Sequence, residues 1–198
     1  LEQAGASMDD VVRRRRTQLR ERRHKVDVPT VALVGYTNAG KTTLFNRLTR
    51  SDAEASNALF VTLDPLVRRV SLPDRRELLL SDTVGFIDRL PHALVAAFRA
   101  TLEEAAEADL ILHVIDASHP ERERMIAAVM RVLEGVKALT VPRFEVYNKI
   151  DRTGDAARVE FDADGNPVRV WLSAHAGQGT GELLKALDTF IPTPVRLV

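Results

Sequence analysis

The run Gly35-Tyr36-Thr37-Asn38-Ala39-Gly40-Lys41-Thr42 constrains this chain more than any other stretch. It satisfies the pattern G-x-x-x-x-G-K-[ST] at every specified position. Ahead of it, Val31-Ala32-Leu33-Val34 is a short apolar run of the kind a buried parallel strand carries. Behind it, Thr43 to Leu48 read as the start of a helix. A strand that turns into a helix through such a loop leaves several backbone N–H groups aimed at one point. The positive end of the helix dipole adds to them, so the segment makes an anion site for a di- or triphosphate. Gly35 and Gly40 let the backbone turn and approach the phosphates with no Cβ in the way. Lys41 supplies a mobile charge between β- and γ-phosphates, and Thr42 a hydroxyl for Mg²⁺.

The chain has 198 residues, enough for one domain with a real core plus some extension. Its 28 basic residues balance 28 acidic ones, so total charge points to no partner. The absence of cysteine excludes a disulfide scaffold or thiolate metal site and suits a reducing cytoplasm. No run of eighteen apolar residues and no signal-peptide core is present, so a soluble, cytoplasmic protein with no membrane segment is expected. The opening Leu1-Glu2-Gln3 lacks an initiator Met, and the expectation is a fragment of a longer protein. Residues 1–27 read as a basic extension, 28–191 as the domain and 192–198 as a tail. Within the extension, Arg13 to Arg16, Arg20, Arg22, Arg23 and Lys25 fit either a solvated linker or an arm on RNA phosphates.

Beyond the loop, Ser51 to Asn57 is polar and without period, and leads into Phe60-Val61-Thr62-Leu63-Asp64-Pro65. A mobile loop carrying a Thr, here Thr62, is where a nucleotide switch places its γ-phosphate sensor. Leu66–Ser71 and Glu77–Leu80 flank Pro73-Asp74-Arg75, a hairpin turn. The second of these strands runs into Asp82-Thr83-Val84-Gly85. An acid at a strand's C-terminal end can hold Mg²⁺ through water, and Gly85 can offer an N–H to the γ-phosphate and act as a hinge.

Leu94, Ala97, Phe98, Leu102 and Ala105 recur at helical spacing, as do Ile126, Val129, Leu133 and Val136 after Pro120. Between them Leu110 to Ile115 is a buried-strand run ending at Asp116. His113 within it reads as a satisfied core histidine, since no second His stands at metal-ligand spacing. Arg143 to Tyr147 is a further strand and delivers Asn148-Lys149-Ile150-Asp151. A carboxylate in the base plane accepts from both N1–H and the 2-amino group of guanine. Adenine would leave it unpaired, so Asp151 selects guanine. Asn148 would bridge base edge and phosphate loop, and the Lys149 stem would cover the ring face. The polar segment Arg152–Asn166 ends in Asp162-Ala163-Asp164-Gly165-Asn166, a hairpin turn rather than a calcium loop, because its Gly comes too early and no Glu closes it. Val168–Leu172 is the last strand, ending in Ser173-Ala174-His175, and Gly179–Phe190 the last helix.

Taken in order, these motifs resemble the GTP-binding domain of the translation-factor-related GTPases. The Gly35–Thr43 run, Thr62-Leu63-Asp64-Pro65 and Asp82-Thr83-Val84-Gly85-Phe86-Ile87 are similar to the HflX family of ribosome-associated GTPases, with support from Leu90-Pro91-His92 and Phe98 to Glu103. The resemblance covers about residues 28–190. It implies an α/β P-loop GTPase domain, a doubly wound, mostly parallel six-stranded sheet with one antiparallel strand and helices on both faces.

The resemblance also implies roles. Gly35, Tyr36, Thr37, Asn38, Ala39, Gly40, Lys41, Thr42 and Thr43 would bind the phosphates of GTP or GDP, and Phe60 and Thr62 would border them. Thr42 and Thr62 would ligate Mg²⁺ and Asp82 would hold it through water. Lys41, Thr62 and Gly85 would serve catalysis. Asn148, Lys149 and Asp151 would read guanine beside Ser173, Ala174 and His175, with the Ala174 N–H meeting O6. Asn38 matches a P-loop Asn that holds K⁺ in related GTPases. Phe86 stands where many GTPases keep a water-orienting Gln, so slow intrinsic hydrolysis stimulated by a partner is implied. His175 stands where many relatives carry Lys. The partner implied is the large ribosomal subunit, engaged by the full-length protein, with the isolated domain monomeric. A GTP/GDP-sensing module with negligible hydrolysis is the alternative reading.

Overall fold

A computed structural model describes residues 28–50, 66–83, 85–86, 102–135 and 138–190. The basic run at 8–26, Phe60, Thr62 and most of the helix expected from Leu94 lie outside the described residues. Pro29–Pro192 forms one compact unit.

Strand β1 (Thr30–Gly35) is central. It pairs in parallel with β3 (Glu77–Asp82) on one side and β4 (Leu110–Asp116) on the other. A parallel strand with both faces covered needs an unbroken apolar run, and Val31 to Gly35 are all buried. Alternate residues feed two cores. Val31 and Leu33 join Leu44 and Phe45 of α1 (Lys41–Thr49), with Leu183 and Leu187 of α3 (Thr180–Phe190). Ala32 and Val34 face the other way, onto Ile111, Leu102 and Ala105, and onto Val129 and Leu133 of α2 (Arg122–Gly135). The strand period of two thereby becomes a doubly wound fold with a core on each face.

The sheet runs β2-β3-β1-β4-β5-β7-β6, where β2 is Leu66–Ser71, β5 Arg143–Asn148, β6 Arg158–Phe161 and β7 Pro167–Trp171. It therefore has seven strands among the described residues, where the sequence reading expects six. Two of them, β2 and β6, are antiparallel to their neighbours. The extra strand is β6, inside the segment read as polar. Its alternation of Arg158 and Glu160 with Val159 and Phe161 is that of an edge strand, whose charged side chains discourage further pairing. Phe161 is 61% exposed, so no buried apolar face announces the strand in the sequence. The turn at 162–166 is as expected: the Asp162 carboxylate accepts N–H groups of Asp164 and Asn166 at 3.0 and 2.8 Å.

The chain leaves β1 through α1 toward β2 and β3 on one side, and later returns to β4 on the other. The C-terminal edge of β1 therefore sits where the strand order reverses, the place such sheets open a ligand crevice. Among the described residues no helix is long and apolar enough to cross a membrane.

Candidate functional site

The loop from β1 to α1 is built around Gly40, the N-cap of α1, with φ +98 and no side chain to cap the helix. A Cβ there would collide with the amide nitrogen of Asn148, so two elements far apart in sequence meet only because this position is glycine. Asn38 also takes a left-handed backbone (φ 60). Gly40 gives the first turn of α1 no side-chain cap, the arrangement in which a helix N-terminus receives an anion.

Lys41 is buried at 6% exposure, and its ammonium donates to the Gly35 and Tyr36 carbonyls at 3.2 and 3.0 Å. Burial brings its pKa down to about 8, against the pull of Asp82, while Lys149 adds to the lowering. A buried cation lying back on carbonyls with a depressed pKa is poised for an anion. Beside it, the Thr42 hydroxyl donates to Asp82 Oδ2 at 2.8 Å, and Asp82 is fully buried at the end of β3.

The segment after Asp82 lies directly on the loop. Phe86 N–H donates to Gly35 O at 3.0 Å and Thr37 N–H donates to Phe86 O at 2.8 Å, a parallel bridge between Tyr36 and Phe86. A Cβ on Gly85 would stand 2.9 Å from Thr37 Cα and 3.1 Å from Lys41 Nζ, so Gly85 approaches the loop as only glycine can. The Phe86 ring is 1% exposed and packs with Ala32, Val34, Leu102 and Ile111. It points into the core, which removes it from any part in orienting water.

At the other end of the site, Asn148 is the joint. Its amide donates to Ala39 O at 3.0 Å and its carbonyl accepts the Ala174 N–H at 2.9 Å. Lys149 donates to Asn38 O and to Asp116 Oδ2, each at 2.6 Å. Asp151, exposed, accepts the Ser173 hydroxyl at 2.5 Å, and Ser173 Oγ in turn accepts the Ala176 N–H at 3.0 Å. Gly35 to Thr43, Asp82, Gly85, Asn148, Lys149, Asp151 and Ser173 to His175 thus stand along one edge of the sheet. Phe60 and Thr62 lie outside the described residues.

Two residues of this constellation escape sequence reasoning. Arg47, on α1, donates from Nε to Ala174 O at 3.0 Å and from a terminal nitrogen to His175 O at 2.6 Å, fixing the loop that presents the Ala174 N–H. Asp116 pairs with Lys149. A basic residue on a helix and an acid after a strand carry no local signal of such partners. His113 is in the core, as expected, but not satisfied: among buried atoms its Nδ1 has no hydrogen-bond partner. Burial first, then Arg143 and Lys41, brings its pKa down to about 3, so it is neutral.

Residues 30–149 match the family described as 50S ribosome-binding GTPase. The chain is 52% identical to GTPase HflX of Escherichia coli (strain K12) over 177 residues, 89% of this chain and 42% of that protein. It is 48% identical to GTPase HflX of Caldanaerobacter subterraneus subsp. tengcongensis over 85% of this chain and 38% of that one. The chain therefore spans about two fifths of the length of these relatives. Among solved structures, a single-residue variant of Aquifex aeolicus Era bound to GDP.AlF4- superposes with a TM-score of 0.66 at 25% identity, covering 86% of this chain and 59% of that one. The seven-stranded sheet and the loop–Asp82–Asn148 constellation thus belong to a P-loop GTPase fold. On the match over 30–149 and the HflX relatives, the chain belongs to the 50S ribosome-binding GTPase family, and its GTPase domain is of the HflX type.

Proposed function

We propose that this domain binds GTP with Mg²⁺ and hydrolyses it to GDP and phosphate, as the switch of a ribosome-associated factor. The observation that carries the reading is the convergence of Lys41, the Thr42–Asp82 pair and Gly85 on one side of the loop with Asn148, Lys149 and Asp151 on the other. Phosphates would lie in the loop with Lys41 turned from its carbonyls toward them. Asp151 would accept from the guanine edge, the Lys149 stem would cover the ring, and the Ala174 N–H would face O6. Catalysis is then positioning and charge neutralisation rather than covalent chemistry.

The residues present fit Mg²⁺. A hydroxyl and a buried carboxylate 2.8 Å apart are hard oxygen donors. Among the described residues no cluster of three or more His, Asp or Glu side chains could hold a metal by itself, which suits a cation shared with nucleotide phosphates. Thr42 and Thr62 would ligate it, with Asp82 behind a water, and the ion would offset charge on the β- and γ-phosphates. Asn38, exposed on the loop, is the candidate for K⁺.

A second reading is a GTP/GDP-sensing module with negligible hydrolysis of its own, and the buried Phe86 ring favours it. The deciding experiment is GTP hydrolysis in K⁺ against Na⁺, under single-turnover conditions, each with and without 50S subunits. Slow basal turnover raised by K⁺ and by 50S subunits is the expected result. Tight GTP binding that neither addition converts into turnover would leave the sensing module as the function of this chain.

A further inference from the structure

We propose that Asp116 is the positioning residue for Lys149, and that nucleotide retention depends on it. The proposal rests on the guanine-nucleotide reading of the site. Lys149 carries a long, flexible side chain, and fixing such a chain costs rotamer entropy. Its backbone is left-handed (φ 70, ψ 34), which adds strain for a residue with a Cβ. A lysine whose stem must lie flat over a base before the base arrives needs something to hold its far end.

Asp116 supplies it. The carboxylate stands at the last position of β4, in register with Asn148 on β5, beside the strand end that delivers Lys149. Its Oδ2 accepts the ammonium at 2.6 Å. Its Oδ1 is held by Ser118, through the N–H at 2.9 Å and the hydroxyl at 2.6 Å. The backbone is pinned as well, with the Ala117 N–H on Asn148 O at 2.9 Å. Side-chain exposures of 18% for Lys149 and 12% for Asp116 separate this pair from the surface ion pairs that contribute little. The ammonium is thus held between Asp116 and the Asn38 carbonyl, with the stem stretched from the end of β5 to the phosphate loop. Ser118 orients Asp116, Asp116 orients Lys149, and Lys149 braces both base and loop.

The test is the release rate of a fluorescent GDP from the intact chain, for wild type, D116N, S118A, K149M and the two double variants containing D116N. D116N keeps the shape and removes the charge. It should release GDP about tenfold faster, the loss of one charge-assisted hydrogen bond. S118A should release it a few-fold faster. In K149M there is no ammonium to hold, so adding D116N should change nothing, and S118A should add nothing to D116N. A structural role would lower the melting temperature of the nucleotide-free protein and accelerate release equally in the K149M background, which overturns the proposal. So does an unchanged rate in D116N or, should D116N not fold, in S118A. A wild-type chain that retains no guanine nucleotide overturns the reading of the site itself, and is seen in the first trace.

Discussion

His113 shows what a single buried nitrogen can impose. It sits on β4 with neighbours on both sides of the sheet, and its pKa of about 3 lies well below the usual 6.5 because the charged ring would be stranded in the core beside Arg143 and Lys41. The unfolded chain takes up this proton near pH 6.5 and the native one does not, so protonation draws the equilibrium toward the unfolded state. Stability is expected to fall from pH 6.5 toward 5, at up to about 1.4 kcal/mol per unit from this residue. Burial opposes it, but Lys149 and Ser118 hold the Asp116 carboxyl below its ordinary pKa, so the stability it contributes is present across this window and is lost only at lower pH. Urea unfolding at intervals across that window should show the loss in wild type and a flat response in H113L. At this scale the sequence was legible wherever a residue's chemistry is announced by its immediate neighbours, as for Lys41, Asp82 and Asn148. It was silent for Arg47 and Asp116. Their partners lie 127 and 33 positions away, and only the sheet brings them together.

Among the elements, those with an apolar period declared themselves. The runs of β1 and β4 are buried on both faces, and α3 carries Leu183 and Leu187 on one side. Strand β6 did not, since its stability comes from side-chain pairing on an open face. Arg169 bridges Glu145 and Glu160, Trp171 donates to Glu160 at 2.7 Å, and the Trp171 ring stacks on Tyr147 with centroids 4.4 Å apart. Charged residues that look like a linker in one dimension become a ladder in three. The segment at Gly85–Phe86 belongs to this scale too, because its hold on the loop is a backbone pairing backed by a buried ring. Truncating that ring should leave a cavity costing about 3–5 kcal/mol, with F86L costing less. Chemical denaturation of the nucleotide-free protein measures both, and an F86A variant as stable as wild type would remove the ring from the core.

For the whole molecule, every described residue of the site belongs to the unit Pro29–Pro192. Removing residues 1–27 should therefore leave GDP affinity within about twofold of the intact chain, measured by titration calorimetry. Binding of both forms to RNA across a salt series then reads the basic run separately. A lower affinity and shallower slope on truncation mark an arm on phosphates, and unchanged values mark a solvated linker. The unit also has a mechanical property set by Phe86. Its main chain is stitched to Gly35 and Thr37 while its ring is wedged among Ala32, Val34 and Ile111. A close-packed interior does not yield by degrees. Lifting Gly85 off the loop would have to pull that ring from its packing, so such a movement is expected to behave as a detent, clicking between positions instead of sliding.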